Sequence, residues 1–205
     1  MFTGLIREMA EVKSLSENLL TIKANYQPSI GDSIAINGAC LTVVAISEGI
    51  FSVQLSPETQ SVLAMENYKG FVHIEPAMMM GDRFEGHIVQ GHVDCIGSIT
   101  NIMPNGNSID FFIAVPNAYL KYIISKGSVT VDGISLTVNE VMKDAFRLTV
   151  IPYTVENTLF NSYSINSKVN IETDMFARYI FNMFKKNDQD DGISWDTVDN
   201  IMAKY

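Results

Sequence analysis

The sequence predicts an all-β chain: two similar, roughly six-stranded antiparallel barrels followed by a helical segment. Three observations predict it. Short runs of Val, Ile, Thr and Phe alternate with polar residues at close, regular spacing, the period of half-buried strands. One set of motifs recurs about a hundred residues further on, the mark of a duplicated unit. After Asp174 the apolar spacing changes from two to the three-and-four rhythm of a helix face.

In the first half the alternation marks strands over Leu19–Lys23, Ser33–Ile36, 41–46, 51–55 and 71–74, with Gly, Asn and Pro as punctuation between them. The second half repeats the plan. Helical candidates inside the barrels are single turns, over 58–65 and 117–124, too short for the crossovers of a parallel sheet. Closing each set of strands into a barrel removes the exposed sheet edges that invite aggregation. Past Asp174, Phe176, Tyr179, Ile180, Met183 and Phe184 fall on one helical face, with Met175 and Phe181 widening it. Two uses fit so wide a face: packing on the chain's own barrel, or a subunit interface. The stretch 187–192 reads as an acidic solvated loop, and Trp195, Val198 and Ile201 as a final amphipathic helix.

The repeat is legible residue by residue. GDSIAINGACLTV, from Gly31 to Val43, returns as KGSVTVDGISLTV, from Lys126 to Val138. Thr42 therefore matches Thr137, an offset of 95 residues (137 − 42). The offset holds where LSPET meets VIPYT, and slips by two where Val72-His73-Ile74-Glu75 meets Val169-Asn170-Ile171-Glu172. The units predicted are 1–88, 89–174 and a helical oligomerisation segment, 175–205.

Composition narrows the function. At 205 residues, 47% hydrophobic and 18% charged, the chain is an ordinary globular protein with length for a real core. A net charge of −9 supplies no positive field for phosphate backbones, so nucleic acid is not the expected partner. Two cysteines, Cys40 and Cys95, make no disulfide framework and fit a reducing cytoplasm. No apolar run approaches the ~18 residues of a membrane span, and the N-terminus has no signal-like stretch. Nucleotide-binding glycine loops and the GxSxG elbow are absent. No CxxC pair accompanies His73, His87 and His92, so no metal site is expected. Gly86 and Gly91 precede His87 and His92, which marks both as loop residues bonding to backbone.

Two like domains offer two like pockets, as a reaction joining two identical molecules would need. The aligned position is Cys40 in one half and Ser135 in the other, a thiol against a hydroxyl. The thiol is a strong nucleophile only as thiolate, and among Ala39, Leu41 and Val43 an inert buried thiol is the commoner outcome.

Taken together, MFTGLI, GDSIAINGACLTV, LSPET, GDRFEGHIVQGHVD, KGSVTVDGISLTV, IPYT and VNIETD resemble, in order, the motifs of the riboflavin synthase family of the α-chain type, over residues 1 to about 180. The resemblance implies Greek-key barrels, a C-terminal helix gathering a homotrimer, and an active site between the first barrel of one subunit and the second of its neighbour. It implies dismutation of two 6,7-dimethyl-8-ribityllumazine molecules to riboflavin and 5-amino-6-ribitylaminouracil, with no cofactor or metal. Association with lumazine synthase is a further expectation.

By the same resemblance, one pocket is expected from Gly4, Leu5 and Ile6, Cys40, Leu41 and Thr42, with Gln54, Leu55, Ser56, Pro57, Glu58 and Thr59. The other is expected from Gly91, His92 and Val93, Ser135, Leu136 and Thr137, with Val150, Ile151, Pro152, Tyr153, Thr154 and Val155, and Lys126 reaching in from a neighbouring subunit. Cys40, Ser33, His92, Lys126, Ser135 and Asp174 match positions implicated in turnover. Tyr153, Glu85, Cys95, Phe160 and Asn166 depart from the family pattern. A non-catalytic branch of lumazine- and flavin-binding chromophore proteins shares the fold; the presence of Cys40 and both loop histidines favours the enzyme.

Overall fold

The computed structural model describes residues 1–187. But for Asn187, the acidic loop expected over 187–192 and the helix expected around Trp195 lie outside them. The first barrel comprises β1 (Glu8–Ser16), β2 (Leu19–Lys23), β3 (Ser33–Ile36), β4 (Ala39–Ser47), β5 (Ile50–Gln54), the short helix α1 (Pro57–Val62) and β6 (Phe71–Pro76). The second comprises β7 (Cys95–Asn105), β8 (Ser108–Ala114), the turn of helix α2 (Asn117–Leu120), β9 (Ser128–Val131), β10 (Ile134–Val141), β11 (Ala145–Val150), α3 (Pro152–Asn157) and β12 (Lys168–Thr173). Helix α4 (Met175–Asn187) follows.

Both sheets close, in the orders β1-β2-β5-β4-β3-β6 and β10-β11-β8-β7-β12-β9, the same circuit once the repeat is allowed for. The pairings β2 with β5 and β3 with β6 are Greek-key crossovers. Bulges in β1 and β4, between Val12 and Ser14 and between Val43 and Ala45, recur in β7 and β10, bending long strands around tight barrels. Each barrel has its own core: Leu20, Ile22, Ile36, Phe51 and Val53 in the first, Ile99, Phe111, Ile113, Phe146 and Leu148 in the second.

Strand β1 is missing from the alternation described above because only Ala10 of its nine residues is buried, so no face reads as apolar. Ser56 starts α1 by accepting the Thr59 N–H at 3.0 Å, with Pro57 in the first turn. That helix ends at Val62, short of the expected stretch, and a separate 3₁₀ turn, Met65–Asn67, follows after Leu63 and Ala64. The apolar face of α4 is not packed on its own barrel: Phe176, Tyr179, Ile180, Met183 and Phe184 are all more than half exposed. Phe181 turns inward, edge-on to Tyr122 at 5.3 Å.

The barrels meet through a polar core that obeys the repeat. The His73 N–H donates to Asn37 Oδ1, while its Nδ1 donates to the Asp132 carbonyl at 2.9 Å and Nε2 accepts the Leu159 N–H at 2.9 Å. Its counterpart Asn170 mirrors each bond: its N–H to Asp132 Oδ1, its Nδ2 to the Asn37 carbonyl, its Oδ1 from the Ala64 N–H, all at 2.8 Å. Such buried groups are stable only when paired. The mirror breaks at one atom. Tyr163 donates to Asp132 at 2.6 Å, but its counterpart Tyr68 donates to the Ile36 carbonyl, and Asn37 Nδ2 is left buried without a partner.

Candidate functional site

Two chain segments leave their own barrel and complete the other one. The first strap, Thr3 to Ile6, is anchored on Glu75 of β6, whose carboxylate accepts the N–H groups of Thr3 and Gly4 and the Thr3 hydroxyl at 2.7–3.0 Å. It then lies on the second barrel, where the Gly4 carbonyl accepts the Ser135 N–H at 2.8 Å and Ile6 packs into the second core. The second strap, Gln90 to Val93, is anchored on the counterpart Glu172 of β12, which accepts the N–H groups of Gln90, Gly91 and His92. It crosses the other way: the Gly91 carbonyl accepts the Cys40 N–H at 2.8 Å and Val93 packs on the first core. Between the barrels, Phe2 and Val89 join the two segments with a pair of backbone bonds.

Gly4 and Gly91 are demanded by this crossing. Both have left-handed φ, +79° and +78°, and a Cβ at either would stand 2.5 Å from Ser135 Cβ or 2.6 Å from Cys40 Cβ. No side chain allows the strap to lie so close.

The geometry therefore regroups the expected pockets. Gly4, Leu5 and Ile6 lie with Ser135, not with Cys40, and Gly91, His92 and Val93 lie with Cys40, not with Ser135. Cys40, Glu58, Thr59, Gly91, His92 and Val93 line one cavity of about 250 Å³. The resemblance groups each strap with the barrel it precedes; Glu75 and Glu172 anchor the straps so that each crosses to the other barrel.

Of the remaining candidates, Leu41, Leu55 and Val150 are buried core residues, while Thr42, Gln54, Thr137, Ile151 and Tyr153 are exposed. Leu136 and Val155 are partly buried against the second core, and Pro152 opens α3 as Pro57 opens α1. Ser33 faces Thr42 across β3 and β4. Lys126 stands exposed in a left-handed turn before β9, its N–H held by the Val138 carbonyl. Asp174 caps α4, accepting the Phe176 N–H at 2.7 Å.

His87 is the residue the sequence reading left out. Its Nδ1 lies 2.7 Å from Ser135 Oγ, so its partner is a hydroxyl and not the backbone expected for it. Burial pulls its pKa down, and the Asp174 carboxylate opposes that pull. A mostly neutral imidazole on a hydroxyl, with a carboxylate in its field, can take up and return a proton. At the Cys40 cavity no such partner exists: His92 is exposed at its edge, and its N–H goes to Glu172. Cys95 is buried, with its thiol pushed up to about 12 by burial and then by Asp94, and carries no reactivity. Among the described residues no group of three or more His, Cys, Asp and Glu could hold a metal ion, and no helix is long and apolar enough to cross a membrane.

Two barrels, each completed by a strap from the other, with a thiol at one crossing and a hydroxyl at the other, define a duplicated double-barrel protein. The lumazine binding domain family matches residues 3–77 and again 90–174, so that each match begins at a strap. The riboflavin synthase of Photobacterium phosphoreum is 40% identical, covering 97% of both chains, and that of Bacillus subtilis (strain 168) is 38% identical, covering 91% of both. The crystal structure of LumP complexed with riboflavin shares the fold, with a TM-score of 0.76 over 85% of this chain and all of that one, at 19% identity. The chain belongs to the lumazine-binding riboflavin synthase family.

Proposed function

We propose that this chain is a riboflavin synthase, a transferase that moves a four-carbon unit between two 6,7-dimethyl-8-ribityllumazine molecules and releases riboflavin and 5-amino-6-ribitylaminouracil. The observation that carries the reading is a pair of strap crossings, alike in backbone and unlike at Cys40 and Ser135, in a chain 40% identical to a named riboflavin synthase. One lumazine must lose a proton from its acidic C7 methyl and the other must accept a nucleophile. Two non-equivalent pockets hold two identical molecules in different protonation environments. Holding both rings in reacting orientation is worth roughly 7–11 kcal/mol of barrier.

In the Ser135 pocket, His87 with Asp174 behind it is the proton carrier, and Gly4 to Ile6 with Leu136, Thr137 and 150–155 hold the ligand. In the Cys40 pocket, Thr42, 54–59 and Gly91 to Val93 hold it, and the Cys40 thiol stands over it. Ser33 and Lys126 act across a junction with a neighbouring chain. Three chains, gathered by the exposed face of α4, place unlike pockets together because head-to-tail pairing closes into a ring. The units are 1–88, 89–174 and 175–205, each strap counted with the carboxylate that anchors it. The working compartment is the cytoplasm, with lumazine synthase, the source of the substrate, as a candidate partner.

Purified protein mixed with 6,7-dimethyl-8-ribityllumazine should develop riboflavin fluorescence, undiminished in EDTA. Tight lumazine binding with no riboflavin formed moves the chain to the chromophore-binding branch of the fold. A light-scattering mass of one chain rejects the trimer.

A further inference from the structure

The two straps share a glutamate anchor, a left-handed glycine and a carbonyl bond to the hairpin they cross, and differ in what else fastens them. Beyond Glu172, the second strap has a fastening that the first lacks. Arg178, on the inner side of α4, forks between its two ends: one guanidinium nitrogen donates to Gln90 Oε1 at 2.9 Å and another pairs with Asp94. Asp94 in turn accepts the N–H and hydroxyl of Thr173 at 2.7 Å each. This ion pair is largely shielded, with side-chain exposures of 21% and 12%, and its planar two-pronged geometry suits arginine and not lysine. At the first strap, Thr3 and Arg7 occupy the places of Gln90 and Asp94, 87 residues earlier (94 − 7). Thr3 is tied to Glu75 and, through its carbonyl, to the His87 N–H, and Arg7 makes no side-chain hydrogen bond among the described residues.

We infer that Arg178 is a positioning residue for the Cys40 pocket: it locks the crossing strap, and through it Gly91 and His92, to the C-terminal helix. Among the described residues the Ser135 crossing has no such arginine tie. One of the two pockets is therefore ordered by the helix whose outward face, at Phe176, Tyr179, Ile180 and Met183, is exposed and apolar, so docking of that helix and readiness of the Cys40 pocket are one event. This rests on the reading of the Cys40 cavity as a ligand site.

The test uses the intact protein with riboflavin as probe, and two readouts: protection of Cys40 from alkylation, and total binding followed by flavin fluorescence. Arg178→Ala should raise the riboflavin concentration that half-protects Cys40 at least about tenfold, while the other binding step stays within twofold. Arg178→Lys should recover part of the loss, keeping the charge beside Asp94 but not the fork to Gln90. Gln90→Met, a milder change that removes only the acceptor, should weaken the same pocket even where Arg178→Ala folds poorly. Arg147→Ala breaks an ion pair whose partners, Asp110 and Glu140, lie in neither strap, and should change neither readout. Unaltered Cys40 protection in Arg178→Ala and Gln90→Met, or equal loss at both pockets, overturns the inference. Riboflavin that fails to protect Cys40 in the unaltered protein overturns the ligand-site reading itself.

Discussion

Ser135 and Cys40 occupy one place in two copies of one hairpin, yet only the hydroxyl has a histidine against it. Ser135→Ala and His87→Gln should each lower the rate of riboflavin formation by about 10²-fold or more, the range of a positioned proton carrier, with riboflavin affinity little changed. Equal rates would return His87 to a structural role. Cys40→Ser makes the pockets alike: affinity should stay within a few fold and the rate fall by at least about tenfold, roughly 1.4 kcal/mol of transition-state stabilisation. An unchanged rate marks Cys40 as inert packing. The contrast between Cys40 and Ser135 is legible from the repeat alone, because the hairpins stand at one offset. His87 is not, since the straps recur at 87 residues (91 − 4) and the hairpins at 95. An alignment that follows the hairpins passes over the straps, and nothing local tells which barrel a strap will cover.

Among the elements, the strands with a buried face, β2 to β6 and β9 to β12, are those whose alternation shows in the sequence. β1 and the outer part of β7 escape because most of their side chains are exposed. Asn166 takes a left-handed φ of +75° in the turn before β12, a conformation asparagine tolerates. The counterpart strands β6 and β12 carry the junction between barrels, and with it a pH dependence. Burial holds His73 at about 4, against 6.5 when free. Between those values the unfolded chain takes up a proton that the folded one refuses, so stability from this group falls as pH drops from 6.5 to 4. Asp132 and Glu172 act oppositely: burial raises each to about 7. Folding then retains protons the unfolded chain has lost, and their contribution fades as pH rises from the ordinary carboxylate range toward 7. His73→Asn copies the side chain that makes the mirror-image bonds at Asn170 and removes the titrating ring. Relative to the unaltered protein its melting temperature should rise as pH drops from 6.5 to 4, while the decline toward pH 7 from the two carboxyl groups is kept. A melting profile parallel to that of the unaltered protein would show that His73 is not the group responsible.

For the whole molecule, the exchange of straps changes what half of it can do. A fragment of residues 1–88 contains a complete barrel and Cys40, but its own strap is built for the other barrel and the strap its cavity needs begins at Gln90. Such a fragment should bind riboflavin only where two copies lend each other Thr3 to Ile6, so binding should follow dimer formation as concentration rises, read by sedimentation and flavin fluorescence on one dilution series. Tight binding by the monomer would show that the strap is dispensable. The doubling of the barrel could be read from the sequence, because strand alternation and repeated hairpins are local signals. The exchange could not, because it is decided by Glu75 and Glu172 reaching backbone N–H groups 71–72 and 80–82 residues away.

That exchange also bears on descent. A chain of one repeat with the same strap would own no finished pocket; it would lend an arm and borrow one, and every pocket in the pair would be the same. Joining two repeats end to end keeps both loans within one polypeptide and lets each borrower change without the other. The divergence of Cys40 from Ser135, and the arrival of His87 on one side only, are changes a symmetric pair could not have made one at a time.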